Sequence, residues 1–346
     1  MENKIKIAVV GCGHISLKHF SSIKKHHNKF KLICICDSNK DKLLIMKKQL
    51  KVKTYSNLKD MLKNEKLDLV VLCTPSGIHA DQTELCAKHG VNIVVEKPMA
   101  ISWASGLHMV KVCENFKVNL FVVKQIRKNP VLQLLKKAIS ENRFGKIHMV
   151  NINVFWNRPQ EYYNQSDWRG SLKLDGGAFM NQASHYVDLL HWLVGPINEI
   201  HSLMSTTRKI EAEDTGVLNI KWSNGALGSM NVTMLTYKKN LESSITVIGE
   251  KGTVCIGGVS VDEIKHWEFD RPKPYDKEIN DLNKISINND WHRVYYENVI
   301  DVLNGNAKPE IDGREGLKSL EILTAAYLSA KKKLPISLPL KNNHEL

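Results

Sequence analysis

The amino-acid sequence predicts an α/β chain in two parts: a parallel sheet with crossover helices, followed by an α+β domain built on an open, mainly antiparallel sheet. Three observations carry this reading. Five short, apolar, largely branched runs (Ile5–Val10, Leu32–Cys36, Leu69–Cys73, Ile93–Val95 and Leu120–Val123) recur in the first 125 residues with helical stretches between them. Such runs fit strands buried on both faces, as in a parallel sheet. Beyond Ile126 the strands lengthen and alternate, as in Ile147–Phe155, Gly216–Trp222, Leu227–Thr233 and Ser244–Ile248, which fits a sheet with one wet face. The chain has 346 residues, 42% apolar and 25% charged, enough for two ordinary domains. We therefore divide it into 1–125 and 126–346, with the C-terminal helices expected to be free to pack back on the first part.

Taken in order, the first strand runs into Gly11-Cys12-Gly13-His14-Ile15-Ser16 and then a helical pattern. Gly11 permits the tight turn, and Gly13 lets the backbone approach a pyrophosphate whose charge the N–H groups of a helix N-terminus stabilise. This is the arrangement of a Rossmann domain, with Gly11, Gly13, His14 and Ile15 as candidate cofactor contacts. Ser16 stands where a third glycine is usual, and is small enough for close helix packing. The second strand ends in Cys36-Asp37-Ser38. An acid there accepts hydrogen bonds from the adenosine ribose hydroxyls and repels a 2′-phosphate, favouring NAD over NADP, while Lys40 lies near enough in sequence to pair with such a phosphate.

Two further strands end in Cys73-Thr74-Pro75-Ser76, followed by His79, and in Glu96-Lys97-Pro98. Ligands bind at such carboxyl ends, so Thr74, Pro75, His79, Glu96 and Lys97 join the candidate cofactor set. Lys97 is the leading catalytic candidate, because a lysine held between a strand end and a proline can take the proton of an alcohol as hydride leaves.

In the second part Gly176-Gly177 precede a helix expected over Ala178–Val194, in which Asn181, His185 and Asp188 fall at i, i+4 and i+7 on one face. The apolar neighbours Tyr186, Val187, Leu189, Leu190 and Trp192 leave little room for a wide solvent face. That favours a functional His185, and leaves Asp188 open between function and surface. Segment 268–290 is polar, carries two prolines and reads as a loop, with helices expected around Trp291–Leu303 and Arg314–Ala330.

Composition narrows the function classes. The cysteines (12, 34, 36, 73, 86, 113 and 255) form no C-x-x-C and have no His-rich partner cluster, so they read as reduced thiols with no metal. Net charge is +13, but only 8 of the 49 basic residues are Arg and the lysines are dispersed over many helices. That pattern reads as solvated faces rather than a nucleic-acid footprint, and it attracts anionic small molecules. No apolar run approaches the ~20 residues of a membrane span. Nor does the start carry an apolar signal core, so a cytoplasmic placement is expected.

The Gly11–Ser16 turn, Glu96-Lys97-Pro98 and the run from Gly176-Gly177 to His185 together resemble the glucose-fructose oxidoreductase/inositol dehydrogenase (Gfo/Idh/MocA) family, from the first strand to the last helices. The resemblance implies an NAD-dependent sugar dehydrogenase. In it the lysine of the E-K-P motif, an Asp of the second domain and a His four residues later surround the reacting carbinol carbon. Carried over, these are Lys97, Asn181 and His185. Asn181 lacks the charge of the usual Asp, so proton handling falls to Lys97 and His185.

Within the family, Phe155–Tyr163, Trp168-Arg169-Gly170 and Gly176–His185 are similar to the UDP-N-acetylglucosaminuronate 3-dehydrogenases of bacterial surface-polysaccharide assembly. These oxidise the sugar C3 hydroxyl, and some recycle NADH with 2-oxoglutarate. The segment suits a doubly anionic UDP-sugar: Arg158 and Arg169 can bond carboxylate or phosphate bidentately, while Tyr163 and Trp168 offer aromatic faces. Where members often read Q-N-R-F-N, this chain has Gln125-Ile126-Arg127-Lys128-Asn129. That leaves Gln125 toward the nicotinamide and Arg127 and Asn129 toward substrate. His292 and Tyr296, in Trp291–Tyr296, read either as contacts to the nucleotide of the same or a neighbouring subunit or as a packing helix. The open sheet implies a homodimer or homotetramer. Two other readings stay in play: a dehydrogenase of another nucleotide sugar, a free sugar or inositol, and a non-catalytic nucleotide-sensing or nucleic-acid-binding protein.

Overall fold

The computed structural model describes residues 4–278 and 290–340. The chain forms two compact units, one of Met1–Gln125 with Asp290–Leu317, the other of Ile126–Asn289 with Lys318–Leu346. The expected 126–346 domain is thus interrupted, because 290–317 returns to the first unit. The physical reason is the buried stripe Tyr295, Tyr296, Val299 and Ile300 of one late helix, α9 (Trp291–Leu303), which packs on α1 (Ser16–Lys25).

In the first unit six strands, β1 (Ile5–Val10), β2 (Phe30–Cys36), β3 (Lys53–Tyr55), β4 (Leu69–Leu72), β5 (Asn92–Val95) and β6 (Leu120–Val122), form an all-parallel sheet in the order 3-2-1-4-5-6. Ile7, Val9, Val70, Val71, Ile93 and Val94 have no exposed surface, so both faces are covered, as the continuous apolar runs require. The strand order reverses between β1 and β4, which opens a crevice at their carboxyl ends. Short polar residues mark where helices start: Asn39, Asn57 and Ser102 each accept a backbone N–H at a helix N-terminus. β3, which divides the helical stretch expected between β2 and β4, was not read from the sequence, because Lys53–Tyr55 is too short and too polar to stand out.

The second unit has an eight-stranded sheet. Its core is β7 (Ile147–Phe155), β8 (Ile197–Ser205), β9 (Thr215–Trp222), β10 (Leu227–Thr233), β11 (Glu242–Gly249), β12 (Gly252–Gly257) and β13 (Glu263–Phe269), with the two-residue β14 (Ile336–Ser337) at one edge. All pairs are antiparallel except β7 with β10. Alternation sends Val150, Ile152, Val154, Leu218, Ile220 and Trp222 into the core. On the other face Asn231 donates to Asn153, which donates to Ser244, and Met149, Val217 and Leu227 are exposed.

The helix expected over Ala178–Val194 is split. Ala178–Gln182 is a π-helical turn, and α8 starts only at Ser184 and runs to Val194. Gly177 enters at φ +102°, the Ala183 N–H reaches back to Ala178 O, and Glu213 takes the N–H groups of Ala178 (on its backbone O) and Phe179 (on its carboxylate). Widening the turn moves Asn181 off the face that an unbroken helix would give it with His185 and Asp188. Of the expected loop 268–290, Pro274–Glu278 forms a short turn in which the Asp276 carboxylate accepts from Arg143 and Trp267; residues 279–289 lie outside the described residues. Among the described residues no helix is long and apolar enough to cross a membrane, and the seven cysteines are free.

Candidate active site

The glycine turn is built as the sequence suggests. Gly11 has φ +90°, and a Cβ there would lie 2.6 Å from Cys73 O, so only glycine fits. A Cβ at Gly13 would meet no atom within 4 Å, leaving an open side where a pyrophosphate can approach. Ile15, at the start of α1, places no capping side chain over the helix N-terminus, and these features together fit NAD. Asp37 is held rigidly: one carboxylate oxygen accepts the Cys12 N–H at 2.6 Å and the other the Asn39 N–H at 2.8 Å. Each oxygen keeps a second lone pair for a ribose hydroxyl. His14 and Ser38 are exposed at the rim, Thr74 donates to Gln82 at 2.5 Å, and Thr74, Pro75, Lys97 and Gln125 are half-buried.

His79 differs from its expected role. It has no exposed surface, with Nε2 2.9 Å from Thr74 O and Nδ1 3.2 Å from Pro98 O. A neutral ring has one N–H, so it donates to one of these carbonyls, and its place is beneath the two strand-end turns rather than on an exposed surface.

The E-K-P turn is pinned from its other side as well. Glu96 is buried, its Oε2 accepts the Lys97 N–H at 3.0 Å, and its Oε1 lies 2.9 Å from His19 Nε2 and 3.6 Å from His292 Nε2. His19 Nδ1 is 2.8 Å from the Tyr296 hydroxyl. Burial by itself would raise the Glu96 carboxyl, but hydrogen bonding and charge from the two imidazoles outweigh it and hold the group well below the usual range. Burial also lowers His19 against the opposing pull of Glu96. One neutral tautomer satisfies all partners: His19 Nε2–H donates to Glu96, and Nδ1 accepts from Tyr296. Glu96, expected as a cofactor contact, and His292 and Tyr296, left open between nucleotide contact and packing, are all buried in the interior of the first unit. His19 was missed; its one sequence signal is a polar residue on the buried stripe of α1.

In the second unit two guanidinium groups lie near the Tyr162 ring, Arg169 at 4.2 Å and Arg158 at 5.4 Å, and Trp168 flanks Arg169 at 5.7 Å. Arg158 donates to Asn157 O, and Arg169 donates to Tyr162 O and Gln165. The result is a rigid cationic-aromatic surface. Tyr163 is buried beside it, and burial pushes its phenol up.

Asn181 donates its amide to Asp175, whose second oxygen accepts the Gly170 N–H at 2.7 Å. A carboxylate thus lies one hydrogen bond from the Asn181 amide. His185 stands half-buried in the first turn of α8. Arg127 and Asn129 are both buried and make structural contacts. Arg127 makes a two-pronged pair with buried Asp188 at 2.6 and 2.7 Å, which answers the open reading of Asp188 in favour of structure. Asn129 caps the helix Pro130–Ser140, accepting from Val131 and donating to Val261 O.

Comparison with known proteins agrees with both halves. Residues 5–124 match the oxidoreductase-family NAD-binding Rossmann-fold model, and residues 136–338 match the C-terminal alpha/beta domain of the same family. The WlbA dehydrogenase of Bordetella pertussis, solved with NADH and UDP-GlcNAcA, is 51% identical over 99% of each chain with a TM-score of 0.97. The WlbA dehydrogenase of Chromobacterium violaceum, with the same two ligands, is 52% identical over 99% of this chain and 98% of that one, at 0.95. The myo-inositol 2-dehydrogenase of Thermotoga maritima is 25% identical over 74% of this chain and 76% of its own length.

Proposed function

The chain belongs to the Gfo/Idh/MocA oxidoreductase family, and on that premise we propose that it oxidises the C3 hydroxyl of UDP-N-acetylglucosaminuronate to the 3-ketone. The observation that supports this substrate is identity at half of all positions, along the whole chain, with two dehydrogenases solved with NADH and UDP-GlcNAcA. Half-identity to two dehydrogenases favours an enzyme over a non-catalytic sensor or nucleic-acid binder.

Bound NAD supplies the hydride acceptor. Lys97 takes the C3 hydroxyl proton while the C3–H bond breaks with its electron pair, leaving a C3=O double bond; His185 assists, accepting or relaying the proton. Asn181, its amide steadied by Asp175, hydrogen-bonds the reacting sugar. Arg158 and Arg169 bind the uronate carboxylate or diphosphate, with Tyr162 and Trp168 covering apolar ring surface. Asp37 accepts from the adenosine ribose, and Gly13 admits the pyrophosphate. The reading extends to a homodimer or homotetramer formed through the open sheet, to cytoplasmic surface-polysaccharide synthesis, and to recycling of NADH by 2-oxoglutarate.

The test is mass spectrometry on the purified protein with NAD and 2-oxoglutarate, offered UDP-N-acetylglucosaminuronate and, separately, UDP-N-acetylglucosamine and inositol. A 3-keto uronate with matching 2-hydroxyglutarate is expected. A ketone without 2-hydroxyglutarate would remove the recycling step, and an untouched uronate on NAD-loaded protein would overturn the substrate.

A further inference from the structure

Glu96 poses a physical question that the reaction by itself does not answer. Burying an ionised carboxylate costs several kcal/mol unless donors replace the lost water. Two donors are in place, His19 Nε2 on α1 at 2.9 Å and the backbone N–H of Lys97 at 3.0 Å, while His292 Nε2 on α9 stands 3.6 Å off, an electrostatic neighbour rather than a hydrogen-bond donor. The two imidazoles meet edge to face at 5.3 Å, and Tyr296, one helical turn beyond His292, orients His19 from its far side. With 4% of its surface exposed, Glu96 is poorly placed to touch a cofactor. What it does hold is the peptide N–H of the residue that carries the reactive amine. On the far side of the same turn, Pro98 O is met by buried His79.

We propose that Glu96, held by His19 and flanked by His292, is a positioning residue that fixes the backbone from which Lys97 acts, so that the returning helix α9, which orients His19 through Tyr296, sets the geometry of the catalytic turn. This rests on the reading of Lys97 as proton acceptor. The same three side chains bring their donor atoms within 4.8 Å of one another, so a divalent cation is the competing occupant. The 2.9 Å contact between His19 and Glu96 is a hydrogen-bond distance, shorter than the ~3.3 Å between ligand atoms at tetrahedral zinc with bonds near 2.0 Å.

The experiment uses the full chain carrying Glu96→Leu, Glu96→Gln or His292→Leu, each with and without Lys97→Met. It reads single-turnover ketone formation, NAD affinity and bound metal. Glu96→Leu is expected to slow turnover by about 100-fold, the scale of a small misplacement of a reacting group, with NAD affinity held within about threefold. Glu96→Gln should recover at least ~10-fold of that loss, because its oxygen still accepts the Lys97 N–H and its amide donates to the other tautomer of His19. In the Lys97→Met background Glu96→Leu should cost nothing more, since an effect routed through Lys97 disappears with it.

Additive loss in that background, a matching fall in NAD affinity, or a stoichiometric divalent metal in the purified protein would each overturn this proposal alone. Full turnover by Lys97→Met would overturn the underlying reading as well. If Glu96→Leu does not fold, His292→Leu carries the same readouts with a smaller loss, about 10-fold, since it removes the longer of the two imidazole contacts.

Discussion

Replacing Glu213 by Gln should make the second unit more stable at pH 8 while changing little at pH 5. Glu213 is 6% exposed, and burial, opposed by its hydrogen bonds, raises its carboxyl from 4.5 to about 7. The Phe179 N–H and the Tyr327 hydroxyl, 2.9 and 2.8 Å from Glu213 Oε1, favour the ionised form but only partly offset the burial. A carboxyl whose folded value lies above its unfolded one favours the fold fully below about 4.5, and that contribution is lost as pH rises through about 7. At ~1.4 kcal/mol per unit, the change between pH 5 and pH 8 is roughly 2–3 kcal/mol. For a unit of this size that is on the order of 5–10 °C in Tm.

Gln is the neutral isostere and is blind to pH, so the quantity to measure is the Tm of the variant minus that of the natural chain, at pH 5, 6, 7 and 8. A difference present equally at every pH is a packing offset. The gap should open in favour of Gln mainly between pH 5 and 7 and level off by pH 8. A gap that stays constant over the series would show that Glu213 is ionised throughout, and would refute the burial argument.

Other consequences are equally direct. Asp37→Ala removes both the ribose acceptor and the group that holds the Cys12 N–H, so NAD affinity measured by titration should fall about 10-fold or more, as expected for charge-assisted bonds worth ~1.5–3 kcal/mol. Arg127→Met leaves buried Asp188 without its cation. It should cost about 3–5 kcal/mol of stability in a melting experiment, and the loss should shrink when Asp188→Leu is added. Arg169→Ala instead strips a cation from the Tyr162 face. It should raise KM for the uronate by about 10-fold while Tm moves by only a degree or two, as for a half-exposed side chain. Gly11→Ala drives a Cβ to 2.6 Å from Cys73 O. NAD binding should be lost by calorimetry, and retained binding would show that the turn yields.

What the sequence determined by itself is what local chemistry dictates. Continuous branched runs specified a parallel sheet, strict alternation specified a sheet with one wet face, and a glycine pair between strand and helix specified a dinucleotide turn, with Asp37 after β2 and Lys97 at the end of β5. Each of these is legible because the cause lies within a few residues of the effect.

The tertiary structure decided the rest. Whether Arg127 binds a ligand or a carboxylate depends on Asp188, 61 positions away. Whether Glu96 faces a cofactor or the interior depends on His19, 77 positions earlier, and Tyr296, 277 positions beyond His19. The π turn that displaces Asn181 depends on Glu213, which grips Phe179 from 34 residues downstream. A histidine or carboxylate in sequence looks the same whether it meets solvent, substrate or a buried partner, because its role is set by desolvation and by donors that only folding brings within 3 Å.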